Sequence, residues 1–207
     1  MIDPVLVSVA AGDSALADHP APLPLDALVP PWSPSSPWEV EIGFGKGRYL
    51  LARALGSPDR RFLGIELAGE YHRIFVSRAR RRGIANWVAL RGDALYLMAA
   101  VLPARFAAAV HVYFPDPWPK SRHQKRRLFD PETVDLVLGL LAAGGRLFFA
   151  TDFLAYGALV ADLLERCPGL DVIRRDGPWE GGARTNYEAK YLAEGRPILR
   201  LEASWRR

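Results

Sequence analysis

The sequence has a single cysteine, Cys167, and lacks any apolar run approaching the roughly 20 residues that a membrane-spanning helix requires. One thiol excludes an internal disulfide bond and a thiolate metal cluster. The four histidines are scattered without a metal-ligand spacing, so we expect no metal. The N-terminus is acidic and polar, unlike the basic and then apolar start of a signal peptide. We therefore expect no signal peptide, no membrane partner and a cytoplasmic location.

What is present is an ordinary globular composition, with 50% hydrophobic and 24% charged residues among 207. This length predicts one domain with a proper hydrophobic core. The net charge of +4 permits a polyanionic partner without requiring one. Residues 1–37 contain eight prolines and little periodicity, which predicts an extended arm with a short strand at residues 5–9. We expect the single domain to span residues 38–207.

From Trp38 onward, strand-like and helical patterns alternate along the chain. The predicted strands are residues 38–43, 61–66, 87–90, 106–113, 146–151, 170–174 and 197–205. The predicted helices are residues 48–55, 69–82, 94–101, 132–141 and 154–166. Such alternation is typical of βαβ units. It predicts an α/β fold with a doubly wound, mainly parallel, seven-stranded sheet.

A glycine-rich loop follows the first strand of this domain. Residues 41–47 read EIGFGKG, which places Gly43, Gly45 and Gly47 between a strand and a helix. Glycines let the backbone approach a ligand closely and adopt unusual dihedral angles. Alone, the loop is weak evidence, because a nicotinamide dinucleotide site would contain a similar loop and an ordinary tight turn is the alternative.

Three acids at the ends of consecutive strands narrow the choice of ligand. Glu66 ends the second strand, where its carboxylate can accept both hydroxyls of a ribose. Asp93, followed by Ala94, ends the third strand and suits an adenine amino group. Glu41 precedes the glycines, where it would meet a cationic amino-acid group but would repel a pyrophosphate. The set predicts S-adenosylmethionine, which carries an ammonium and a sulfonium but no phosphate.

The most informative segment is residues 113–127, which read YFPDPWPKSRHQKRR. Asp116 lies between two prolines at the end of the fourth predicted strand, and ligands of open α/β sheets bind at this edge. Asp116 can accept hydrogen bonds from a guanine edge. Trp118 can stack on a base, which contributes about 1–3 kcal/mol in single-strand binders. The alternative is a rigid turn packed on the core.

Five cations follow within eight residues, and a second basic group lies on the second predicted helix. The five are Lys120, Arg122, Lys125, Arg126 and Arg127. Charge runs are usually solvated surface, but this one adjoins the predicted site. It predicts a phosphate-binding surface whose affinity falls with salt.

Two later segments complete the predicted site. Asp152 ends the fifth strand within the sequence ATD. Residues 184–191 read RTNYEAKY and are too polar for a core, so we place them in a connection before the final strand. Both segments are expected near the ligand edge of the sheet.

Together these segments resemble the bacterial tRNA (guanine-N7)-methyltransferase family over residues 38–205. The motifs are EIGFGKG, GIE at 64–66, GDA at 92–94, FPDPWPK at 114–120, the basic residues 122–127, ATD at 150–152 and TNYEAK at 185–190. The Phe-Pro-Asp-Pro-Trp segment with its basic continuation is highly specific to that family. The resemblance implies a class I S-adenosylmethionine-dependent methyltransferase fold whose last strand is antiparallel. It also implies methyl transfer to a guanine in the tRNA variable loop.

The resemblance also implies roles for individual residues. The residues expected to bind the methyl donor are Glu41, Gly43, Gly45, Gly47, Glu66, Asp93, Ala94 and Asp116. Those expected to contact tRNA are Lys120, Arg122, Lys125, Arg126, Arg127, Asp152, Thr185, Asn186, Tyr187 and Glu188. Asp116 would also be the catalytic acid, orienting guanine rather than removing a proton, because N7 already has a free lone pair. A monomer or a homodimer is expected.

Three alternatives stay open. The first is a methyltransferase that acts on another RNA, a protein or a small molecule. The second is a nicotinamide-dependent oxidoreductase, which the position of Glu41 disfavours. The third is a non-enzymatic RNA-binding module, which would explain the basic strip but leaves Glu41, Glu66 and Asp93 without a purpose.

Overall fold

The protein is described by a computed structural model that covers residues 8–11, 14–16 and 37–206, with the backbone alone for 8–11, 14–16, 121, 124 and 125. The strands are β1 Ser8–Ala11, β2 Ser14–Leu16, β3 Trp38–Ile42, β4 Arg61–Glu66, β5 Trp87–Arg91, β6 Ala107–Tyr113, β7 Leu141–Thr151, β8 Leu170–Arg174 and β9 Leu199–Trp205. The helices are α1 Arg48–Gly56, α2 Gly69–Arg81, α3 Ala94–Tyr96, α4 Val134–Gly139, α5 Leu154–Glu165 and α6 Asn186–Ala193. A π-helical turn, Leu97–Val101, continues α3, and a 3₁₀ helix spans Ser121–Arg126. None of the described helices is long and apolar enough to cross a membrane.

One twisted sheet contains all of these strands in the order β2-β1-β5-β4-β3-β6-β7-β9-β8. The five strands from β5 to β7 in this order are parallel. The last strand, β9, is antiparallel to both β7 and β8. The predicted seven-stranded sheet is thereby confirmed. The β1–β2 hairpin extends it at the β5 edge, and residues 5–7 of the strand expected at 5–9 lie outside the described part.

The sheet is buried on both faces, as a parallel sheet with helices on each side requires. On one face, α1 and α2 pack over β4 and β5 through residues such as Leu50, Phe75 and Trp87, which are all at most 1% exposed. On the other face, the π-turn, α4 and α5 cover Val110 and Phe149. This arrangement leaves the carboxyl ends of the parallel strands free to form a ligand-binding edge.

The largest departures from the predicted boundaries lie at the helix expected at 132–141 and at the strand that follows it. The helix expected at 132–141 begins only at Val134, because the Asp130 carboxylate accepts the backbone N–H groups of Glu132 and Thr133 and forms a turn first. That helix was also expected to end at residue 141, which is two residues too late. It ends at Gly139, and β7 starts at Leu141 with an irregular register before Arg146.

Candidate active site

The glycine loop between β3 and α1 forms the turn predicted from the sequence. Gly43, Gly45 and Gly47 have φ angles of 75°, 54° and 72°. Side-chain-bearing residues rarely adopt such angles, whereas glycine does so at little cost. A Cβ atom on Gly47 would lie 2.3 Å from Cδ2 of Phe75, so α2 can approach the loop closely only because this residue has no side chain.

Glu66 ties the glycine loop to the end of β4. Its Oε2 atom accepts the backbone N–H of Gly45 at 2.7 Å, and its Oε1 atom accepts that of Ala68 at 2.8 Å. The side chain is nearly buried. Each carboxylate oxygen keeps a second lone pair, so Glu66 both shapes the loop and presents an acceptor to the cleft.

Glu41, on the neighbouring strand β3, is buried beneath the loop. It is 2% exposed, and the backbone N–H of Leu50 in α1 donates to its carboxyl group. Its Oε2 atom has no hydrogen-bond partner among the described residues. Burial, together with the nearby charge of Glu66, raises the pKa of Glu41 to about 8. A buried acceptor without a partner is costly, and a cationic ligand group would satisfy it.

Asp93 follows β5 and begins α3. Its Oδ1 atom accepts the backbone N–H of Tyr96 at 3.0 Å, so the side chain caps the short helix that starts at Ala94. The carboxylate is therefore fixed in orientation at the same edge of the sheet as Glu41 and Glu66. The structure thus places the expected donor-binding acids at the ends of three adjacent parallel strands.

Asp116 lies in a strained loop at the end of β6, the strand on the other side of β3. Phe114 and Trp118 have φ angles of 53° and 38°, which are unusual for bulky residues. Strain of this kind persists only where the surroundings enforce it, and it is common at active sites. Asp116 itself is exposed. The loop therefore presents a carboxylate at the same edge of the sheet as the glycine turn.

The indole of Trp118 already has neighbours from the basic strip. The Arg126 guanidinium lies 5.1 Å from the centre of the ring, and His123 meets the ring edge-on at 5.6 Å. Lys120 and Arg122 are exposed, whereas the side chain of Lys125 lies outside the described part. Stacking of a base on Trp118 therefore requires the face that Arg126 does not cover.

Arg127 points away from the position expected of a phosphate contact. Its Nε atom donates to the carbonyl oxygen of Pro117 at 2.8 Å and its Nη2 atom to that of Trp118 at 3.4 Å. The guanidinium also lies 5.1 Å from the ring centre of Tyr156. These contacts attach the Asp116 loop to the rest of the protein. We therefore assign Arg127 the role of stabilising the conformation of the loop rather than that of binding the RNA backbone.

The polar segment expected in a connection is in fact the start of helix α6. Thr185 caps this helix by accepting the backbone N–H of Glu188 at 3.0 Å. Asn186 accepts a hydrogen bond from Arg48 of α1 at 3.3 Å, and Tyr187 is 56% exposed. The sequence-based reading missed the helix because its apolar periodicity is weak, although the Thr-x-x-Glu capping pattern was a usable signal.

Glu188 is fully buried and binds within the protein. Its Oε1 atom accepts from Nε of Arg200 at 2.9 Å, and its Oε2 atom accepts the backbone N–H of Arg184 at 2.8 Å. The side chain therefore does not fit the expected direct contact with tRNA. It holds the turn before α6 against β9, and through that turn it positions Thr185 and Asn186.

We expect Glu188→Gln to lower the free energy of unfolding by about 3 kcal/mol, because Arg200 would stay buried without a counter-charge. Urea unfolding of the ligand-free protein measures this. The control is Glu194→Gln at the exposed end of α6, whose ion pairs with Lys190 and Arg196 should contribute less than about 1 kcal/mol. Equal losses in the two variants would contradict the assignment.

Aromatic residues that the sequence-based reading did not select surround the same edge. Tyr191 on α6 meets the ring of Phe114 edge-on at 5.5 Å and lies 6.0 Å from the ring of Tyr187. Asp152, at the end of β7, is 3.7 Å from a guanidinium nitrogen of Arg196. No group of three metal-binding side chains occurs in the part of the chain that the structure describes.

Comparison with known proteins gives a consistent result. A profile of the family described as "Putative methyltransferase" matches residues 35–201. The tRNA (guanine-N(7)-)-methyltransferase of Leifsonia xyli subsp. xyli is 38% identical over 185 residues, 87% of this chain and 80% of that protein. The enzyme of the same name from Nitrosococcus oceani is 35% identical over 162 residues, 78% of this chain and 69% of that protein.

Solved structures share the fold at low sequence identity. The 16S rRNA methyltransferase KamB superimposes with a TM-score of 0.67 at 13% identity, over 97% of this chain and 100% of that one. The antibiotic-resistance methyltransferase Kmr gives a TM-score of 0.62 at 20% identity, over 96% and 99%. These likenesses show the class I methyltransferase fold. The family profile and the relatives show that this chain belongs to the bacterial tRNA (guanine-N7)-methyltransferase family.

Proposed function

We propose that the protein transfers a methyl group from S-adenosylmethionine to N7 of a guanine in the variable loop of tRNA. The observation that carries this proposal is the position of Asp116, exposed on a strained loop at the end of β6. The adjacent strand β3 ends in Glu41 and the glycine turn. The named activity of relatives that are 35–38% identical supports it. A cytoplasmic location and a monomeric or homodimeric state remain part of the proposal.

The donor side of the cleft fits the proposed cofactor. The unpartnered Oε2 atom of Glu41 matches a cationic group, Glu66 offers acceptors for ribose hydroxyls, and Asp93 faces the same edge. When bound, S-adenosylmethionine supplies an electrophilic methyl group on a positively charged sulfur. The glycine turn admits such a ligand close to the backbone, where no side chain intervenes.

Asp116 orients the acceptor and compensates charge. Its carboxylate accepts hydrogen bonds from the N1–H and amino groups of guanine and so aims N7 at the methyl group. The lone pair of N7 would form the new bond as the bond between the methyl carbon and the sulfur breaks, which would leave the sulfur as a neutral thioether. No proton has to leave first. Positive charge develops on the purine, which a nearby carboxylate stabilises. Alignment of the two reactants supplies much of the remaining acceleration.

The direct test is incubation with labelled S-adenosylmethionine and unmodified tRNA, followed by mapping of the methylated nucleotide. We expect 7-methylguanosine in the variable loop. A 16S rRNA fragment is the control substrate, because structural neighbours with 13–20% identity are rRNA methyltransferases or resistance methyltransferases. Methylation of the rRNA in preference to tRNA, or at another atom of guanine, would overturn the proposal.

The assignment of Arg127 to the Asp116 loop leads to a separate prediction. We expect Arg127→Gln to lower kcat about tenfold or more, since loss of its bonds to Pro117 and Trp118 misplaces Asp116, and small misplacements are costly. The KM for tRNA should change less than threefold. Steady-state kinetics at saturating cofactor measure both quantities.

The matched control is Arg122→Gln, which removes an exposed cation from the same strip. We expect it to weaken tRNA binding and to reduce the salt dependence by about one charge, with kcat preserved. Arg127→Lys keeps the positive charge but cannot donate to both carbonyl oxygens in the same geometry, so its kcat should also be lowered. A fully active Arg127→Lys enzyme would show that Arg127 acts as a charge and not as a support.

A further inference from the structure

A cleft separate from the donor-binding residues lies on the sheet face that carries α1. It encloses about 630 Å³ between α1, the first residues of β6 and the loop 180–184. Small residues leave this space open: Ala52 on α1, Ala108 and Ala109 on β6, and Gly181 and Gly182 in the loop. The two glycines have φ angles of 83° and 85°, which other residues rarely adopt. We call this space the arginine cleft.

Arginines surround the cleft and outnumber its acids. The arginines that line it are Arg48, Arg53, Arg60, Arg146 and Arg184, and the acids are Glu39 and Glu180. The buried carboxylate of Glu39 binds two guanidinium groups, with Arg53 at 2.6 Å and Arg60 at 2.8 Å. One negative charge is thus shared by two positive charges.

The same imbalance recurs at the other wall. Arg146 and Arg175 share the single carboxylate of Glu202, at 3.2 Å and 2.5 Å. Arg184 packs on aromatic rings, with Trp179 at 4.2 Å. On the floor, burial lowers the pKa of His111 to about 4, so its ring is neutral. The cleft therefore has a net positive charge at neutral pH.

The cleft reaches the catalytic edge at Arg48. This residue directly follows Gly47 of the glycine turn, and its Nη1 atom donates to the neutral amide oxygen of Asn186 at the start of α6 at 3.3 Å. The volume of the cleft lies within the usual range of ligand pockets, about 300–1,000 Å³. Arginine forks match the geometry of phosphate oxygens. Arg48 thus links the cleft to Asn186, a residue expected to contact tRNA.

We propose that the arginine cleft binds a backbone phosphate of tRNA, on the side of the sheet opposite the 3₁₀ segment and α5. This inference rests on the proposed function, since it requires a tRNA substrate. It adds a second anchor for the RNA backbone, separate from the basic strip at 120–127. The two anchors would hold the RNA backbone on opposite faces of the sheet.

The test changes the charge at one wall without removing a described contact. Ala52 is exposed on α1 and lines the cleft, and both Glu and Lys are good helix formers. We expect Ala52→Glu to bind unmodified tRNA about tenfold more weakly than Ala52→Lys at roughly 0.1 M salt. The slope of log tRNA affinity against log salt concentration should be smaller for Ala52→Glu than for the unaltered protein, by about the amount that one phosphate contact contributes.

The matched control is the same pair of substitutions at Ala158, an exposed residue of α5 on the other face of the sheet. The two Ala158 variants should bind tRNA equally. Equal tRNA affinities for Ala52→Glu and Ala52→Lys would overturn the inference, as would an equally large difference at Ala158. Failure of the unaltered protein to bind tRNA would overturn the proposed function itself.

Discussion

Asp116→Asn should lower kcat about 100-fold or more, which is the usual effect of removing one preorganised electrostatic partner in an active site. The amide keeps the size of the carboxylate, so the strained loop around Phe114 and Trp118 should keep its shape. What it loses is the negative charge opposite the developing cation on guanine. Single-turnover methylation of tRNA at saturating substrate measures the effect.

Binding of tRNA should change little in the same variant, because most of the affinity comes from contacts with phosphates. The matched control is Asp135→Asn on the exposed side of α4, which should leave kcat unchanged. Full activity of Asp116→Asn at saturating tRNA would refute the catalytic assignment. A loss of both kcat and tRNA affinity would instead show that Asp116 mainly shapes the loop.

Glu41→Gln should weaken the binding of S-adenosylmethionine about 10- to 100-fold at pH 8, the worth of one charge-assisted hydrogen bond. The reason is the buried Oε2 atom, which has no partner among the described residues and which a cationic ligand group would engage. Isothermal titration calorimetry with purified protein measures the affinity. The control is Glu70→Gln at the exposed start of α2, which should bind the cofactor normally.

The same carboxyl group should make cofactor affinity depend on pH. Burial raises the pKa of Glu41 to about 8, so the group is mostly protonated in the free protein at pH 7. A bound cation favours the ionised form, so binding releases a proton and tightens as pH rises from 6 to 8. The slope of cofactor affinity against pH should differ between the unaltered protein and Glu41→Gln. This difference isolates the effect of Glu41, because the amine of the ligand titrates in the same way in both measurements. Parallel slopes would contradict it.

Stability of the ligand-free protein should show the opposite trend. The folded pKa of about 8 exceeds the ordinary value of 4.5. Below pH 4.5, Glu41 is protonated in both states, so its full contribution to stability is present. That contribution is lost as pH rises toward and through 8, because only the unfolded state ionises freely. In Glu41→Gln this decline should disappear from urea unfolding measured between pH 5 and 9.

The periodicity of apolar residues predicted most strands and helices well, because it reflects which residues are buried. The strands at 61–66 and 170–174 matched to the residue. The first is a mainly apolar run bounded by turns, which is typical of a buried strand, whereas the second is a partly exposed strand at the edge of the sheet. The helix at 69–82 also formed, ending one residue earlier at Arg81. The missed helix α6 has little apolar periodicity, and its one fully buried residue, Glu188, is charged. Hydropathy cannot indicate a helix that is anchored by an ion pair.

The candidate site divides in the same way. Glu41, Glu66, Asp93 and Asp116 could be selected because parallel strands bring their carboxyl ends to one edge of the sheet. The direction of each guanidinium group could not be predicted, because the sequence of a run of cations is the same whether their side chains face solvent or the protein. Arg127 turns inward because two loop carbonyls and the ring of Tyr156 lie within its reach.

The sequence by itself determined the order along the chain of the strands and helices of the domain apart from α6, together with the glycine turn, the acidic residues at the strand ends and the family. These follow from local propensity and from motifs whose spacing is set along the chain. Only the tertiary structure decided what the cations do, that Glu188 is a buried support and that small residues on three elements enclose the arginine cleft. The reason is physical. Those features depend on contacts such as Arg200 with Glu188 and Arg48 with Asn186, which join residues 12 and 138 positions apart.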